Sequence, residues 1–249
     1  MIKITSTDTT MYQVKLLDVI EESKDVHTYK FEKPDELSWK SGDHIHIATS
    51  SFFDGKEVDR DLVRHMSIIN HPTDDFIGIT TRVPGSSSKF KHTMEGMSID
   101  DEMILFKVGS HMGLRRENRP ILMVSMGVGI ATFKPLLEEA DQDRTGLTKV
   151  VHYNVDSKQE RIYGDALESM NSPVIQHKYF SSREAFHERL WRSLHNEKPI
   201  LYIVGSRAFM EDVVTRAVQM GIPTEDIMID RKNKDVLLQE MIGSAVSAS

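Results

Sequence analysis

Two glycines one residue apart, Gly127 and Gly129, follow an apolar run and precede a helical pattern in the stretch SMGVGIATFKP. Bare backbone between a strand and a helix can hold a phosphate, because N–H groups at the helix start point outward. Thr132 occupies the place of the third glycine of the dinucleotide fingerprint. The glycine pair alone therefore predicts either a diphosphate site or a plain structural turn.

Two further polar groups follow predicted strands. Asp156 comes directly after the strand KVVHYNV, where an acidic side chain can accept a ribose hydroxyl of a dinucleotide. Ser182 and Arg183 lie in the stretch SSRE, which follows the strand VIQHKYF. That stretch is also typical of a helix N-cap, with Ser182 capping and Glu184 in the first turn.

The histidines do not form a metal-binding pattern in the sequence. His44 and His46 alternate on one predicted strand and therefore share a face. Two imidazoles without a third nearby ligand are more typical of a polar outer face than of a metal site. His187 and Glu188 lack the second histidine of a zinc protease helix. We therefore expect no metal site.

Composition narrows the classes of function. The chain has 249 residues, 39% of them apolar, and no cysteine. Disulfides, thiolate zinc sites, protein-bound iron–sulfur clusters and a cysteine nucleophile are excluded, so any redox chemistry needs a borrowed cofactor. Apolar stretches fall far short of the roughly 20 residues that cross a bilayer, and the start MIKITSTDTT lacks a signal-peptide core. We expect a cytoplasmic protein that binds no membrane.

The charge is acidic overall and basic in one place. A formal net charge of −7 argues against a broad nucleic-acid surface. The stretch GLRRENRP nevertheless places Arg115, Arg116 and Arg119 within five positions. Those arginines predict either a docking patch for an acidic partner or a solvated loop.

The rhythm of apolar residues changes once along the chain. To about residue 113, short alternating segments separated by turn residues predict an antiparallel sheet closed into a barrel. These segments are YQVKLLDVIEE, VHTYKFEK, DHIHIAT, RHMSIIN, FIGITTRV and DEMILFKV.

Beyond LRRENRP, strands alternate with helices, which predicts a parallel sheet with both faces covered. The strands are ILMVSM, KVVHYNV, VIQHKYF and ILYIVG, and the helices are FKPLLEEADQ, DALESM, REAFHERLWRSL and FMEDVVTRAVQMG. We place the domain boundary near Arg116, giving domains of residues 1–115 and 116–249.

Five stretches, in order, resemble motifs of the ferredoxin–NADP reductase family. GVGIATFKPLL is similar to its nicotinamide-nucleotide motif, RHMSIIN to its Arg-x-Tyr-Ser flavin motif, and VPGSSSKFKH to its Gly-x-x-Ser phosphate loop. WKSGDHIHI is similar to the barrel strand that opens with a turn glycine, and LYIVGSRAFMEDV to the late Cys-Gly-x-x-x-Met strand and helix. The resemblance implies an FAD-binding barrel followed by an NAD(P)-binding α/β domain.

The resemblance also implies roles for the residues of the barrel motifs. Arg64, His65, Met66 and Ser67 stand at the four positions of the flavin motif. Arg64 would bind the FAD diphosphate, although the motif taken alone favours a surface salt bridge to Asp59 or Asp61. Ser67 would hydrogen-bond near flavin N5, where hydride arrives, and is the one catalytic side chain expected. Gly85, Ser87 and Ser88 would line the phosphate loop.

For the nicotinamide nucleotide, the resemblance implies that Gly127 and Gly129 hold the diphosphate. Thr132 would cap the helix or bond the ribose. Ser182 and Arg183 match the family's Ser-Arg-Glu segment, which receives the 2′-phosphate, so NADPH is favoured over NADH. Asp156 keeps NADH as the alternative.

The implied activity is hydride exchange between NADPH and FAD, with electrons passed to a small carrier protein such as a ferredoxin or flavodoxin. The alternatives are a reductase component of an oxygenase, a flavin reductase, or a sensor without sustained turnover. Met66 and Val204 stand where the family has tyrosine and cysteine, and the chain lacks a terminal aromatic residue. Tyr163 or a partner would then cover the flavin, unless the nicotinamide enters unobstructed.

Overall fold

The computed structural model describes residues 2–6, 9–53, 59–83, 85, 88–110, 112–231 and 233–246. The chain divides into two compact units, residues 1–110 and 111–249. None of the helices in these described ranges is both long enough and apolar enough to cross a membrane.

Unit 1 is an antiparallel sheet. Its strands are β1 (Ile2–Ser6), β2 (Thr9–Ser23), β3 (Val26–Glu32), β4 (Asp43–Thr49), β5 (Val63–Ser67), β6 (Phe76–Arg82) and β7 (Glu102–Ser110), and its helix is α1 (Lys89–Glu95). The strands run in the order β5-β4-β7-β2-β3-β6, with β1 paired to β2. The six strand segments predicted from alternation all form strands, which confirms the antiparallel N-terminal fold.

Hydrogen bonds join the two ends of this sheet. Just after β5, the Ile69 N–H donates to the Gly78 carbonyl of β6 at 3.0 Å. The Asn70 side-chain oxygen accepts from the Gly78 N–H at 2.8 Å. The sheet therefore closes on itself, as expected for a barrel.

Alternation along the strands divides the apolar side chains of unit 1 between two clusters. Ile45 and Ile47 of β4 belong to the main core, which α1 completes with Phe90 and Met94. Ala48 belongs to a smaller cluster, which also contains Phe52, Ile104 and Phe106.

Unit 2 is a parallel sheet with helices. Its strands are β8 (Arg119–Met126), β9 (Leu147–Val155), β10 (Ile175–Phe180), β11 (Ile200–Val204) and β12 (Ile227–Ile229); its helices are α2 (Ile130–Gln142), α3 (Gly164–Glu168), α4 (Arg183–Glu197), α5 (Arg207–Gln219) and α6 (Lys234–Val246). The strand order is β10-β9-β8-β11-β12, and all pairings are parallel. The predicted parallel C-terminal sheet is confirmed.

This strand order has a functional consequence. The chain winds outward from β8 to β10 and then returns to the other side of β8 with β11. In sheets of this type, ligands bind beyond the carboxyl ends of the two strands where the direction reverses. In unit 2 those strands are β8 and β11.

Candidate functional site

In unit 1, Arg64 of β5 is held against the start of α1. Its Nη2 donates to the Ser88 hydroxyl at 2.5 Å, and its Cζ lies 5.7 Å from the centre of the Phe90 ring. The Ser88 side chain does not cap α1. The structure thus brings together the two polar side chains that were predicted from separate motifs.

The salt bridges offered as an alternative for Arg64 do not form. Asp59 pairs instead with Lys89, at 3.2 Å. With Asp61, Arg64 makes only a main-chain contact, in which Arg64 Nη1 donates to the Asp61 carbonyl oxygen at 3.1 Å. No carboxylate among the described residues therefore neutralises the guanidinium.

Lys91 lies close enough to two arginines, Arg64 and Arg82, for their charges to act on it. The pKa of Lys91 is lowered, first by burial and then by the charges of Arg64 and Arg82. Arg82 also pairs with Asp25 at 3.4 Å. The sequence motifs did not single out Lys91 or Arg82, although Lys91 comes only three residues after the motif serine. A bound anion would relieve the repulsion among the three cations.

The phosphate-loop glycine has the backbone that only glycine adopts readily. Gly85 has φ +72°, and a Cβ built there would meet no atom of a described residue within 4 Å. The backbone at Gly85 is therefore open to close approach. Ser87 lies outside the described residues.

The residues of the flavin motif divide between two faces of β5. Arg64 and Met66 share one face, where Met66 packs against the main core of unit 1. His65 and Ser67 lie on the other face, and Ser67 pairs in register with His44 of β4. The structure therefore brings Arg64 to Ser88 but places the Ser67 side chain on the opposite face of the strand from Arg64.

In unit 2, Gly127 and Gly129 of the stretch SMGVGIATFKP serve different structural purposes. Gly127 has φ +53°, and a Cβ there would meet nothing within 4 Å. A Cβ at Gly129 would lie 2.9 Å from the Val204 carbonyl oxygen at the end of β11. Gly129 thus allows β8 and β11 to pack where the winding reverses, whereas Gly127 leaves bare backbone facing open space.

Thr132 does not cap α2. The helix begins at Ile130, directly after a 3-10 turn at Gly127–Gly129, and no side chain caps it. Thr132 lies inside the first turn and is buried. The helix predicted from FKPLLEEADQ starts near Thr132, so α2 begins slightly earlier than predicted, directly after the 3-10 turn.

A buried polar network crosses β8, β9 and β10. The Ser125 hydroxyl donates to the Asn154 oxygen at 2.8 Å and lies 2.9 Å from His152 Nε2. The Nδ1 atoms of His152 and His177 lie 2.9 Å apart. Burial lowers the pKa of His152, and burial followed by the charge of Arg161 lowers the pKa of His177 to about 4.

Among the described residues, this network leaves the Asn154 amide group and His177 Nε2 without hydrogen-bond partners. The Asn154 Nδ2 group is buried and makes no hydrogen bond to a described residue. Asn154 lies one residue before the end of β9, and Ser125 lies two residues before Gly127. Since unpaired buried donors are costly, Asn154 is suited to a ligand at this edge.

Ser182 and Arg183 line different cavities of unit 2. The Ser182 hydroxyl accepts from the Ala185 N–H at 3.3 Å as the N-cap of α4, and Ser182 lines a cavity of about 440 Å³ with Lys178, Arg189 and Arg192. Arg183 lines another, of about 190 Å³, with His187 and Ser206. The side chain of Arg183 makes no hydrogen bond or ion pair with a described residue, whereas Arg192 pairs with Glu188.

The Asp156 carboxylate is occupied within its own loop. One oxygen accepts from the Lys158 N–H at 3.0 Å, and the other accepts from the Glu160 N–H at 3.2 Å. Tyr163 is buried in unit 2, with Lys134 5.7 Å from its ring centre. Asp156 therefore closes the loop after β9, and Tyr163 does not present an exposed ring.

The three arginines between the predicted domains are each neutralised. Arg115 pairs with Glu117 at 2.7 Å, Arg116 with Glu139 at 2.8 Å, and Arg119 with Asp226 at 2.6 Å. These ion pairs hold the segment to unit 2. They do not leave the open basic patch that would dock an acidic partner.

The fold has known counterparts among solved structures. A ferredoxin NADP+ reductase from Neisseria gonorrhoeae with bound FAD and NADP aligns with a TM-score of 0.71 and 17% identity, covering 88% of this chain and 98% of that one. The human Ncb5or CS-b5R domains in the NAD+ form align with a TM-score of 0.74 and 16% identity, covering 90% and 70%. The ferredoxin-NADP+ reductase of Plasmodium falciparum with 2′P-AMP aligns with a TM-score of 0.71 and 14% identity, covering 88% and 95%.

No protein-family model matches the sequence, and no curated protein is significantly similar to it. The likeness therefore lies in the three-dimensional arrangement of the strands and helices. The chain has the two-domain fold found in ferredoxin–NADP+ reductases, as the motif resemblance implied.

Proposed function

We propose that the chain is an FAD-dependent NAD(P)H oxidoreductase, in which residues 1–115 bind FAD and residues 116–249 bind NADPH. The chemistry that these cofactors supply when bound is hydride exchange between nicotinamide and flavin, followed by electron release to an acceptor. The part of this chain is to bind and orient the two cofactors.

The observation that carries the proposal is the contact between Arg64 and Ser88, which lies three residues after Gly85, together with the charge interaction between Arg64 and Lys91. The Arg64 guanidinium is fixed by Ser88 and lacks a carboxylate partner among described residues, so it can bind phosphate oxygens at little ordering cost. Lys91 carries a lowered pKa, which a diphosphate would raise again. The residues present therefore fit the diphosphate of FAD.

We assign the flavin ring to β5 as well. Fewer side-chain contacts support this assignment than support the diphosphate site at Arg64 and Ser88. Met66 would contact the ring through its thioether in place of an aromatic side chain. Ser67 would hydrogen-bond the ring near N5, as the motif resemblance implies. His65 stands between them and belongs to the motif by position.

The nicotinamide nucleotide is assigned to the edge where β8 and β11 end. Gly127 offers bare backbone with a positive φ, and Gly129 holds the turn against Val204. Asn154 supplies a buried amide donor without a described partner. This combination of bare backbone and an unsatisfied donor fits a dinucleotide. Thr132, in the first turn of α2, is the residue proposed to bond the ribose.

NADPH is favoured over NADH. Arg183 is a cation without a described partner, next to the capping Ser182, and suits the 2′-phosphate dianion. Asp156, which would have favoured NADH, has both carboxylate oxygens bonded within its loop. Support also comes from the solved neighbours, two of which contain NADP or 2′P-AMP.

The proposed acceptor is a small electron-carrier protein, a ferredoxin or flavodoxin. Another solved neighbour is the ferredoxin reductase in carbazole 1,9a-dioxygenase, with a TM-score of 0.71 at 12% identity over 91% of this chain and 70% of that one. Because Arg115, Arg116 and Arg119 are paired within unit 2, docking of an acidic carrier must use other residues.

The experiment is to purify the chain, release any bound chromophore by heat and identify it by chromatography against FAD and FMN. The proposal expects FAD at about one per chain, or stoichiometric reconstitution of colourless protein with FAD. Protein that neither contains nor takes up FAD would contradict it.

A further inference from the structure

A small cavity in unit 2 lies beside the first turns of helices α4 and α5. It has a volume of about 190 Å³, and its polar lining residues are Arg183, His187, Ser206 and Asp212. Arg183 and His187 are four positions apart on α4 and therefore share a face of that helix. The other lining residues are apolar. The cavity has room for several water molecules and therefore for a phosphate group.

The Asp212 carboxylate favours one nitrogen of the His187 ring as the site of its proton. A carboxylate oxygen of Asp212 lies 3.3 Å from His187 Nε2. Because a negative charge stabilises a proton beside it, the neutral ring carries its hydrogen on Nε2. The Nδ1 atom makes no hydrogen bond to a described residue. Nδ1 is therefore bare in the neutral ring and becomes a donor when the ring takes up a second proton.

Ser206 also has a hydrogen to donate. Its hydroxyl oxygen accepts from the Phe209 N–H at 3.3 Å, as the N-cap of α5. A hydroxyl that accepts a hydrogen bond still has its own O–H to donate, and no described residue accepts it. Ser206 can therefore cap α5 and bind an anion in the cavity at the same time.

The charge of the cavity depends on His187. Of the described residues that line it, only Arg183, His187 and Asp212 can carry a charge. The charges of Arg183 and Asp212 cancel, so the cavity is neutral with a neutral imidazole and positive with a protonated one. A phosphate monoester carries a charge of about −1.5 to −2 at pH 7 and therefore favours the protonated form.

The remaining neighbours of His187 are two aromatic rings and one more cation. Phe186 and Trp191 of α4 contact the imidazole edge-on, with ring centres 5.4 and 5.2 Å away. Arg216 of α5 lies over Trp191, 5.8 Å from the ring centre. The rings help to fix the orientation of the imidazole, while Arg183 and Asp212 are the charged groups that share its cavity.

We propose that His187, oriented by Asp212, binds the 2′-phosphate of NADPH together with Arg183 and Ser206, and takes up a proton from solvent at Nδ1 when it does so. The proposed function supplies the identity of this ligand, and the inference rests on it to that extent. Because binding is coupled to proton uptake, the preference for NADPH over NADH increases as the pH falls from about 8 towards 7.

The test measures the heat of binding of 2′P-AMP and of 5′-AMP to the full chain at about pH 7.5, in two buffers with different ionisation enthalpies. At this pH a free imidazole is mostly neutral and a phosphate monoester is mostly a dianion, so a proton taken up belongs to the protein. We expect 2′P-AMP to bind with uptake of more than about half a proton and 5′-AMP with none. Binding of 2′P-AMP without proton uptake would overturn the proposal.

Two substitutions of His187 separate its charge from its packing. His187→Gln should weaken 2′P-AMP binding by about tenfold and abolish the proton uptake. His187→Arg supplies a permanent cation, so it should keep the affinity for 2′P-AMP without taking up a proton. His195→Gln, which removes an exposed imidazole in the last turn of α4, is the control and should match the wild type. Proton uptake that persists in His187→Gln would contradict the proposal.

These outcomes separate the inference from the proposed oxidoreductase, because neither AMP compound contains nicotinamide or requires FAD. Binding of 2′P-AMP without proton uptake would remove the role of His187 and leave the NADPH assignment of Arg183 standing. Failure to bind both 2′P-AMP and NADPH would overturn the two together. Proton-coupled binding of 2′P-AMP to a chain that takes up no FAD would support the role of His187 and refute the oxidoreductase.

Discussion

The Arg64 guanidinium reaches from β5 to the residue before α1 and donates to the Ser88 hydroxyl at 2.5 Å. This contact fixes the orientation of a cation that no described carboxylate neutralises. Since a planar guanidinium matches two phosphate oxygens, an ordered Arg64 suits the phosphate-binding role proposed for it.

Replacing that cation should lower FAD affinity. Arg64→Ala removes a charge-assisted contact worth about 1.5–3 kcal/mol, which corresponds to roughly a 10- to 100-fold rise in the FAD dissociation constant. Titration of flavin-free protein by flavin fluorescence measures the change. Arg60→Ala, an exposed arginine of the same unit, is the matched control. Equal affinities in the two variants would show that the motif has been misassigned.

Lys91→Gln should have opposite effects on the free and the FAD-bound protein. Without FAD, removing the charge relieves burial and repulsion from Arg64 and Arg82, so the melting temperature should stay level or rise. With FAD, a diphosphate contact is lost, and binding should weaken and become less dependent on salt. Thermal melts with and without FAD give both quantities. A parallel fall in both would assign Lys91 a purely structural role.

The two motif glycines should respond differently to alanine. Gly129→Ala places a Cβ 2.9 Å from the Val204 carbonyl, so β8 and β11 must move apart and the melting temperature should fall clearly. Gly127→Ala has space but a positive φ, at a cost of about 1–2 kcal/mol. Gly243→Ala in α6 is the control and should stabilise by about 0.5–1 kcal/mol. An undiminished melting temperature for Gly129→Ala would refute the packing role.

Arg183→Ala should separate the two nicotinamide nucleotides. Loss of the cation proposed for the 2′-phosphate should raise the Michaelis constant for NADPH by about tenfold or more and leave that for NADH nearly unchanged. Arg192→Ala, which removes an arginine already paired with Glu188, is the control. If Arg192→Ala instead impairs NADPH use selectively, the phosphate site belongs to the cavity lined by Ser182.

The buried histidine pair should make unit 2 less stable in acid. The pKa of His177 is about 4 in the folded chain, below its ordinary value near 6.5, so the unfolded chain binds more protons between these values. Stability is therefore complete above about pH 6.5 and falls towards pH 4, by up to about 1.4 kcal/mol per pH unit for one histidine. His152 adds to the same trend.

Urea unfolding at several pH values between these limits measures this slope, and His177→Gln should make it shallower. His195→Gln, in the last turn of α4, should leave it unchanged. Identical slopes in all three proteins would mean that the pair is not buried in solution.

Much of the fold follows from the sequence because its strands repeat with simple periods. The alternation in DHIHIAT and the apolar run ILMVSM predict β4 and β8 directly. The helices α1 and α6 and the strands β1 and β12 were not predicted. The segment of α1 reads as a polar loop, and its helical turn depends on Phe90 and Met94 packing into the core.

The candidate site was less predictable, because its residues meet through pairing of distant strands. Arg64 and Ser88 were found from motifs, and their contact adds weight to both. The repulsion around Lys91 and the pairing of His187 with Asp212 depend on how distant elements pack, which no single segment specifies. Successive side chains of a strand point to opposite faces, so RHMS alone places Ser67 on the opposite face of the strand from Arg64. The motif resemblance treats the four residues as one site and does not show this division.

The most direct test is an anaerobic titration of the FAD-loaded protein with NADPH, followed at the flavin absorption at about 450 nm. We expect the absorption to bleach with about one equivalent of NADPH and to return when an electron acceptor is added. FAD-loaded protein that remains oxidised in excess NADPH and in excess NADH would contradict it.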